Sequence, residues 1–167
     1  MSLITKTDIA AKRQLSNSVK SEIIDQYIAD AELEDLAPLL GEIFYNKIAN
    51  NVSDFTTLLT GGTYTYQSNT YSHTGIKSIL IDFAYARYIM FGSQTDTPFG
   101  FVEKQTQDSN SVTRDGRKER YKALQQSAIK AWSTVENYLN RNTTTYADWT
   151  CAQSTHQQFF KTSKITN

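Results

Sequence analysis

The chain has little of the chemistry that small proteins use for covalent or metal cross-links. Cys151 is the only cysteine and the histidines are His73 and His156, so no intrachain disulfide can form and no Cys-x-x-Cys or His-x-x-x-His pair is present. A chain of 167 residues can bury a core without such cross-links. The sequence therefore predicts one domain that has no structural metal, disulfide or cofactor.

Long apolar segments are also absent. No apolar run approaches the ~20 residues that a helical bilayer span needs. The first residues, MSLITKTDIAAKRQLSNSV, lack the continuous apolar core of a signal peptide. We therefore expect no membrane partner and no secretion by that route.

Neither sign of charge dominates, because 17 basic and 17 acidic side chains cancel. A dedicated nucleic-acid-binding protein needs a basic footprint, so this balance argues against that class. The charges are unevenly distributed: residues 1–84 hold six Lys/Arg and ten Asp/Glu, and residues 85–167 hold eleven and seven. Opposite charges would suit head-to-tail contact between copies. The alternative is a charge dipole without consequence.

Residue combinations that could support catalysis or ligand binding are weak. Cys151 and His156 could form a nucleophile and base, but no third orienting group accompanies them. The acids of residues 30–35 could hold a hard cation, but they lack the spacing of a calcium loop, and we favour a solvated helix junction. No GxxxxGK[ST] phosphate loop exists. We therefore predict no catalytic, metal-binding or cofactor-binding residues, and a protein that is not an enzyme.

Helical patterns account for most of the chain. A short helix is expected near residues 5–14, with Thr7 or Asp8 as its cap. Apolar residues then recur at helical spacing over 19–31 and again over 33–48. Because proline is best tolerated in the first turn of a helix, Pro38 favours one helix that ends near Ala31 and another that begins at about Asp35. A kinked continuous helix is the alternative.

The middle of the chain combines a hairpin with an unusually apolar helix. Tyr64 and Tyr66 alternate with threonines, Gln-Ser-Asn intervenes and Tyr71 follows, which predicts a β-hairpin over 63–73. Residues 76–91 are apolar nearly all round, which is typical of a buried central helix. Arg87 within this helix needs a partner, and we favour a structural ion pair or a stem that reaches the surface.

A long connection over 92–112 separates this helix from the last one. Connections of this length are usually functional or disordered, and disordered ones contain few aromatic residues, whereas this one contains Phe99 and Phe101. Its GFVEKQT stretch has local strand character. The last major helix is predicted from about Thr113 to Arg141, with a long apolar stripe and a basic start. The chain thus divides into an N-terminal arm (1–19), a mainly α-helical domain (20–142) and a C-terminal tail (143–167).

Three stretches of this sequence carry a family resemblance. They are LAPLLGEIFYNKI, LLTGGTYTYQSNTYSHTGIKSILIDFAYARYIMFGSQTDTPFGFVEK and WSTVENYLNRN. They look like proteins of crAss-like and other Bacteroidetes phages, which are similar in pattern to the head–tail connector (adaptor) proteins of tailed phages. The resemblance covers about residues 20–142, and its most specific string is FAYARYIMFGSQTDTPFGFV.

The resemblance implies a four- to five-helix bundle with a small β-hairpin and extended N- and C-terminal arms. It also implies a structural virion protein of the phage neck, assembled in the host cytoplasm. Copies of the chain would form a homo-oligomeric ring, typically of about twelve, beneath the portal protein. An adjacent tail or stopper protein would dock below, and DNA would pass through the lumen without sequence-specific contacts.

The predicted interface residues are aromatic side chains outside the helical stripes, because large apolar groups on loops are costly in water and mark interfaces. They are Phe99, Phe101, Tyr64, Tyr66, Tyr71, Trp149, Phe159 and Phe160. The basic start of the last helix is either a solvated face or a contact with the lumen or a partner, through Arg114, Arg117, Lys118 and Arg120. Alternative functions are a stopper or tail-completion ring of the same neck, an intracellular helical protein-binding module, and an unrecognised small enzyme.

Overall fold

The computed structural model describes residues 2–92, 94–98, 100–103 and 112–149, and for 94–97 and 100–103 it describes the backbone alone. The chain is mainly helical with a small two-stranded antiparallel hairpin, as the sequence predicts. The elements in chain order are α1 (Lys6–Lys12), α2 (Ser21–Ala31), a π-helical turn (Glu32–Leu36), α3 (Ala37–Leu40), α4 (Glu42–Asn50), a 3₁₀ turn (Val52–Phe55), α5 (Thr56–Thr60), β1 (Gly62–Tyr66), β2 (Asn69–His73), α6 (Ile76–Phe91), β3 (Gln94–Thr97), β4 (Gly100–Glu103) and α7 (Arg114–Arg141).

Helix α6 is the centre of the fold. Every residue from Ile79 to Ala86 is buried, because apolar side chains surround the helix on nearly all sides. Helices α7 and α2 make the most extensive contacts with it, and α5 and α1 also pack against it. The predicted buried central helix over 76–91 is therefore confirmed.

Helix α7 covers α6 with one long apolar stripe. Its start is capped by Thr113, whose side chain accepts a 3.2 Å hydrogen bond from the N–H of Gly116. The helix spans the predicted range from Thr113 to Arg141. The stripe follows from the three- and four-residue spacing of its buried apolar residues. They are Leu124, Ala128, Trp132, Val135, Tyr138 and Leu139.

The first long helix extends further than the sequence predicted. Helix α2 continues through the π-helical turn Glu32–Leu36 into α3, and the helix ends at Gly41 rather than near Ala31. The N–H of Ala37 donates to the carbonyl of Glu32, five residues earlier, which is the wider hydrogen-bond register of a π-helix. Pro38 has no N–H to donate, and the helix accommodates it directly after this turn. Gly41 ends the helix with φ of 77°, a conformation that L side chains rarely adopt. The prediction of two separate helices was wrong, and the continuous alternative describes the chain.

Strands β1 and β2 form the hairpin that the sequence predicts over 63–73. Their register pairs Tyr64 with Tyr71. The two turn residues, Gln67 and Ser68, have φ of 47° and 64°. Positive φ at both central positions is the property of the hairpin turn whose twist matches that of the strands.

A second antiparallel hairpin lies inside the connection over 92–112, for which the sequence predicts a loop. Strands β3 and β4 pair so that Asp96 lies opposite Phe101. Strand character was expected only after Gly100, because the polar run Gln94–Thr97 has no alternating apolar residues. The loop assignment is therefore corrected to two paired strands, Gln94–Thr97 and Gly100–Glu103.

The N-terminal segment packs on the body instead of extending from it as the predicted arm. Helix α1 is capped by Thr5: its side chain accepts from the N–H of Asp8, whose carboxylate accepts from the N–H of Thr5. The predicted cap at Thr7 or Asp8 was two or three residues too late. Three apolar side chains of the segment are buried in the core: Leu3, Ile4 and Ile9.

Candidate functional site

The β1–β2 hairpin and the C-terminal end of α7 form an aromatic cluster. Tyr64 and Tyr71 are cross-strand partners, and their ring centroids lie 5.7 Å apart. The ring of His73 stacks on Tyr138 of α7 at 4.0 Å with 8° between the ring planes. The hydroxyls of Tyr138 and Tyr146 lie 3.2 Å apart and share a hydrogen bond. These contacts fix the hairpin to the helix and orient its tyrosines.

Arg141 binds the three hairpin tyrosines that the sequence nominates as interface residues. Its Nη1 donates to the hydroxyl of Tyr64 at 3.0 Å. Its Cζ lies 4.1 Å from the ring centroid of Tyr71 and 5.1 Å from that of Tyr66. Tyr66 is 36 % exposed, and Tyr64, Tyr71 and Arg141 are half-buried. The structure thus brings Tyr64, Tyr66 and Tyr71 together with Arg141 in a partly exposed patch of residue types that are enriched in binding hot spots.

Sequence reasoning missed Arg141. The available signal was its place in the last turn of the predicted helix, three residues after Tyr138. Arg141 reaches the tyrosines because the hairpin packs against the C-terminal end of α7. This packing depends on tertiary contacts, which the local sequence does not show. The patch formed by Tyr64, Tyr66, Tyr71 and Arg141 is named the tyrosine–arginine patch below.

Trp149 is corrected from an interface residue to a core residue. It is 6 % exposed, and its Nε1 donates to Oδ1 of Asn140 at 2.9 Å. Its ring packs on Phe44 and Trp132, with centroids 5.8 and 6.1 Å away. Residues 146–149 therefore belong to the folded body and not to the predicted tail over 143–167.

The other predicted interface aromatics fall at or beyond the limits of the described structure. Phe99, Phe159 and Phe160 lie outside the described residues. The backbone of Phe101 lies in β4, opposite Asp96. Their interface role stays a prediction.

The four basic residues predicted at the start of α7 do not share one environment. Arg117 is buried at 8 % exposure, so it is corrected from a surface contact to a residue of the buried stripe. Arg114 and Lys118 are exposed. Arg120 is exposed as well and, together with Lys12 and Arg13, lines an open groove of about 410 Å³ between α1 and α7.

A buried carboxylate holds two of these groove cations. Asp82 is 4 % exposed and accepts hydrogen bonds from Lys12 Nζ at 2.9 Å and from Arg13 Nη2 at 2.7 Å. The side chains of Lys12 and Arg13 are about one-third exposed. The ion pairs therefore attach α1 to α6 while both cations keep contact with solvent.

Three of the four acids of residues 30–35 are engaged with protein partners. Glu32 accepts hydrogen bonds from the Ser2 hydroxyl and the Leu3 N–H. Arg87 binds Asp35 and Glu34, at 2.7 Å each. Within the described ranges, no three His, Cys, Asp or Glu side chains are grouped so that they could hold a metal ion.

The ion pair predicted for Arg87 is confirmed. Burial disfavours its charged form, but the hydrogen bonds and charges of Asp35 and Glu34 outweigh this, and the pKa of Arg87 is raised. In the aromatic cluster, burial lowers the pKa of His73, and its Nδ1 has no hydrogen-bond partner among the described residues. Burial also raises the pKa of Tyr146, to which its hydrogen bond with Tyr138 adds.

Several large apolar side chains stand on the surface of the described structure. The most exposed are Ile43 at 79 %, Leu33 at 64 % and Val112 at 60 %. Ile43 borders an open pocket of about 470 Å³ that Leu40, Phe44 and Ala147 also line. In the described part of the chain, no helix has the length and apolar character required to cross a lipid bilayer.

The sequence matches a family of unknown function, DUF6712, over residues 36–158. This match spans well over half of the chain, and the chain belongs to that family. No curated protein matches the sequence, and no solved structure matches it.

Proposed function

We propose that the chain is a structural protein of the phage virion, a head–tail connector (adaptor). Copies of the chain form a ring that binds the portal protein, receives the next tail component and lines the DNA channel. The observation that carries this proposal is the resemblance of residues 83–102 to phage neck proteins. In the structure these residues comprise the second half of α6 and then the β3–β4 hairpin. The family-like string thus begins in the buried central helix and contributes residues to both strands of the second hairpin.

The surface of the body supports a role in assembly. Ile43, Leu33 and Val112 each expose most of their side chains, so each presents apolar surface that a binding partner would cover. The tyrosine–arginine patch adds amphipathic aromatic rings that are already held in place by Arg141. Such preorganised side chains lose little conformational freedom on binding. Both features suit a protein whose task is contact with neighbours.

The proposed activity is mechanical and involves neither turnover nor a cofactor. Each copy needs only modest affinity for the portal, because repeated attachment around a ring multiplies the total binding strength. The exposed basic residues Arg114, Lys118 and Arg120 can meet either DNA in the channel or an acidic partner surface. Contact with DNA phosphates there is independent of sequence.

The test uses Phe99 and Phe101, the two aromatic residues of the family-like string that lie in the 92–112 connection. Phe99→Ala/Phe101→Ala is expected to leave the fold and the melting temperature of the isolated chain unchanged. It is expected to weaken binding to purified portal roughly tenfold or more, as loss of aromatic anchors does. Phe91→Ala is the matched control, because Phe91 is 42 % exposed at the end of α6, outside the hairpin.

Circular dichroism measures the fold, and biolayer interferometry on immobilised portal measures binding. Unfolding of the double variant would show that the two rings serve the chain's own core. Cryo-electron microscopy of particles then locates the protein. A position below the portal-bound ring indicates a stopper or tail-completion role, and absence from the neck contradicts the proposal.

A further inference from the structure

One face of α2 carries acidic side chains and no cation. Between Lys20 and Lys47 the chain has seven Asp or Glu residues and no Lys or Arg. Glu22, Asp25 and Asp30 are exposed on α2, and none of them forms an ion pair within the described residues. The spacing of these residues places them around the side of the helix that faces away from α6. These three residues, with Leu33, are named the acidic face.

The first turns of α7 carry a complementary set of cations. Arg114, Lys118 and Lys122 recur every four residues, so they form one row along the helix. All three are exposed, and in the part of the chain that the structure describes none pairs with a carboxylate. Ile129, seven residues after Lys122, continues the row and is 40 % exposed. These four residues are named the basic face.

Each face combines charge of one sign with an exposed apolar side chain. Leu33 is 64 % exposed and extends the outer side of α2 beyond Asp30. Ile129 likewise extends the row of cations on α7 beyond Lys122. A surface that buries an apolar side chain and surrounds it with complementary charges has the anatomy of a protein interface. Leu33 and Ile129 supply the apolar contact, and the charges set the orientation.

The two faces belong to helices that both pack on α6 in the same body. We infer that the acidic face of one copy binds the basic face of a second copy. This inference rests on the proposed ring, because it names the surfaces through which neighbouring copies would meet. The two faces differ, so the contact is heterologous, and a heterologous contact repeats from copy to copy until it closes into a ring or extends as a filament.

A second copy explains the basic face better than DNA does. A phosphate backbone would leave Ile129, which is 40 % exposed in the same row as the cations, without an apolar partner. The chain as a whole carries no net charge. An acidic helix with an apolar contact point matches the mixed character of the face. DNA binding is retained as an outcome of the test.

Charge reversal tests the contact. Asp25→Lys/Asp30→Lys reverses the acidic face, and Lys118→Glu/Lys122→Glu reverses the basic face. A third variant carries all four changes and therefore keeps the net charge of the unaltered chain. Glu42→Lys/Asp54→Lys is the matched control, since it changes exposed acids outside α2 and alters the net charge as the first variant does. Sedimentation velocity on the full chain, at low and high salt, measures self-association.

We expect the unaltered chain to self-associate in a concentration-dependent manner and to dissociate as salt rises, because salt screens exposed charges. Each single-face variant should lower the association constant roughly tenfold or more, as juxtaposed like charges do. The four-change variant should recover it, and the control should not alter it. Fluorescence anisotropy with duplex DNA accompanies these measurements.

Three results would overturn the inference. One is an unaltered chain that stays monomeric at low salt and high concentration. Another is a four-change variant that associates no better than the single-face variants. The third is a loss of DNA binding in Lys118→Glu/Lys122→Glu without a change in self-association. Binding to immobilised portal is measured in parallel: if it persists while self-association fails this test, the connector role stands and only this inference falls.

Discussion

The carboxylate of Glu32 accepts a 2.7 Å hydrogen bond from the backbone N–H of Leu3, which lies 29 residues earlier in the chain. The same oxygen accepts from the Ser2 hydroxyl at 2.6 Å, and the other oxygen accepts from the Tyr45 hydroxyl at 3.2 Å. Glu32 is 6 % exposed. A buried charge is tolerated here because all three donors point at it. Glu32 therefore fixes the N-terminal segment to the body at the first residue of the π-helical turn.

Loss of this carboxylate should release the N-terminal segment. Glu32→Ala leaves the buried N–H of Leu3 without its acceptor, and we expect a loss of about 2–3 kcal/mol in the free energy of unfolding. Glu32→Gln keeps one oxygen acceptor for Leu3, so its cost should be only about 1 kcal/mol. Urea unfolding measures both values, and hydrogen exchange reports on the Leu3 amide. Unchanged exchange of residues 2–12 in Glu32→Ala would contradict this role.

The ion pairs of Asp82 and Asp148 should differ in strength because their burial differs. Asp82→Ala leaves Lys12 and Arg13 without their buried partner, and since both cations are about one-third exposed, we expect a loss of about 2–3 kcal/mol rather than the larger cost of a fully buried pair. Asp148 pairs with Lys47 on the surface, and the two side chains are 45 % and 50 % exposed. Asp148→Ala should therefore cost about 0–1 kcal/mol. Chemical denaturation measures the free energy of unfolding of both variants. Equal losses would refute the expectation that the buried pair contributes more.

Gly75 and Gly41 have nearly the same backbone conformation in different surroundings. Both have φ of 77°, with ψ of 155° and 145°. A Cβ on Gly75 would lie 2.6 Å from the carbonyl oxygen of Leu59, whereas a Cβ on Gly41 would have no atom within 4 Å. Alanine at either position carries backbone strain of roughly 1–3 kcal/mol. Gly75→Ala should cost about 1–3 kcal/mol more than Gly41→Ala because of the clash, as thermal unfolding can measure.

Trp149 should behave as a core residue in mutagenesis. Trp149→Ala removes a ring that packs on Phe44 and Trp132, and we expect a loss of about 3–5 kcal/mol in stability. Trp149→Phe keeps part of the ring contact and loses the hydrogen bond to Asn140, so its cost should be smaller, about 1–2 kcal/mol. Denaturant titration measures the free energy of unfolding of both variants. A stable, monomeric Trp149→Ala that fails only in assembly would restore the interface hypothesis.

The elements that could be predicted were those whose own residues carry the signal over their whole length. Helices α6 and α7 and the β1–β2 hairpin carry unbroken patterns, and the structure forms them where the patterns indicate. The stop at Gly41 was missed because Pro38 is the more conspicuous local signal. Only the π-helical register, which shifts the hydrogen bonds, shows that the proline can be accommodated.

The functional residues were harder to predict, because their roles depend on contacts far apart in sequence. Trp149 and Tyr66 are both aromatic residues outside the helical stripes, yet one is in the core and the other on the surface. Arg117 and Arg114 are neighbours in a basic run, but the helical phase buries one and exposes the other. The helical periodicity of the apolar stripe could have shown that Arg117 lies on the buried side of α7 and that Arg114 does not. Nothing local could have placed Trp149 against Phe44.

His73 should make stability depend on pH. Burial lowers the pKa of His73 from its ordinary 6.5, so the unfolded chain binds the proton more readily than the folded one does. The stability contribution of the neutral ring is then complete above about pH 6.5 and decreases as pH falls below it toward the lowered folded-state pKa. Protonation also places a cation near Arg141, which occupies the same tyrosine cluster. His73→Phe retains a ring that can stack on Tyr138 but cannot titrate. Urea unfolding at pH 7.5 and 5.5 measures how much the free energy of unfolding decreases on acidification. The decrease should be larger in the unaltered chain than in His73→Phe, and equal decreases would exclude His73 as the source.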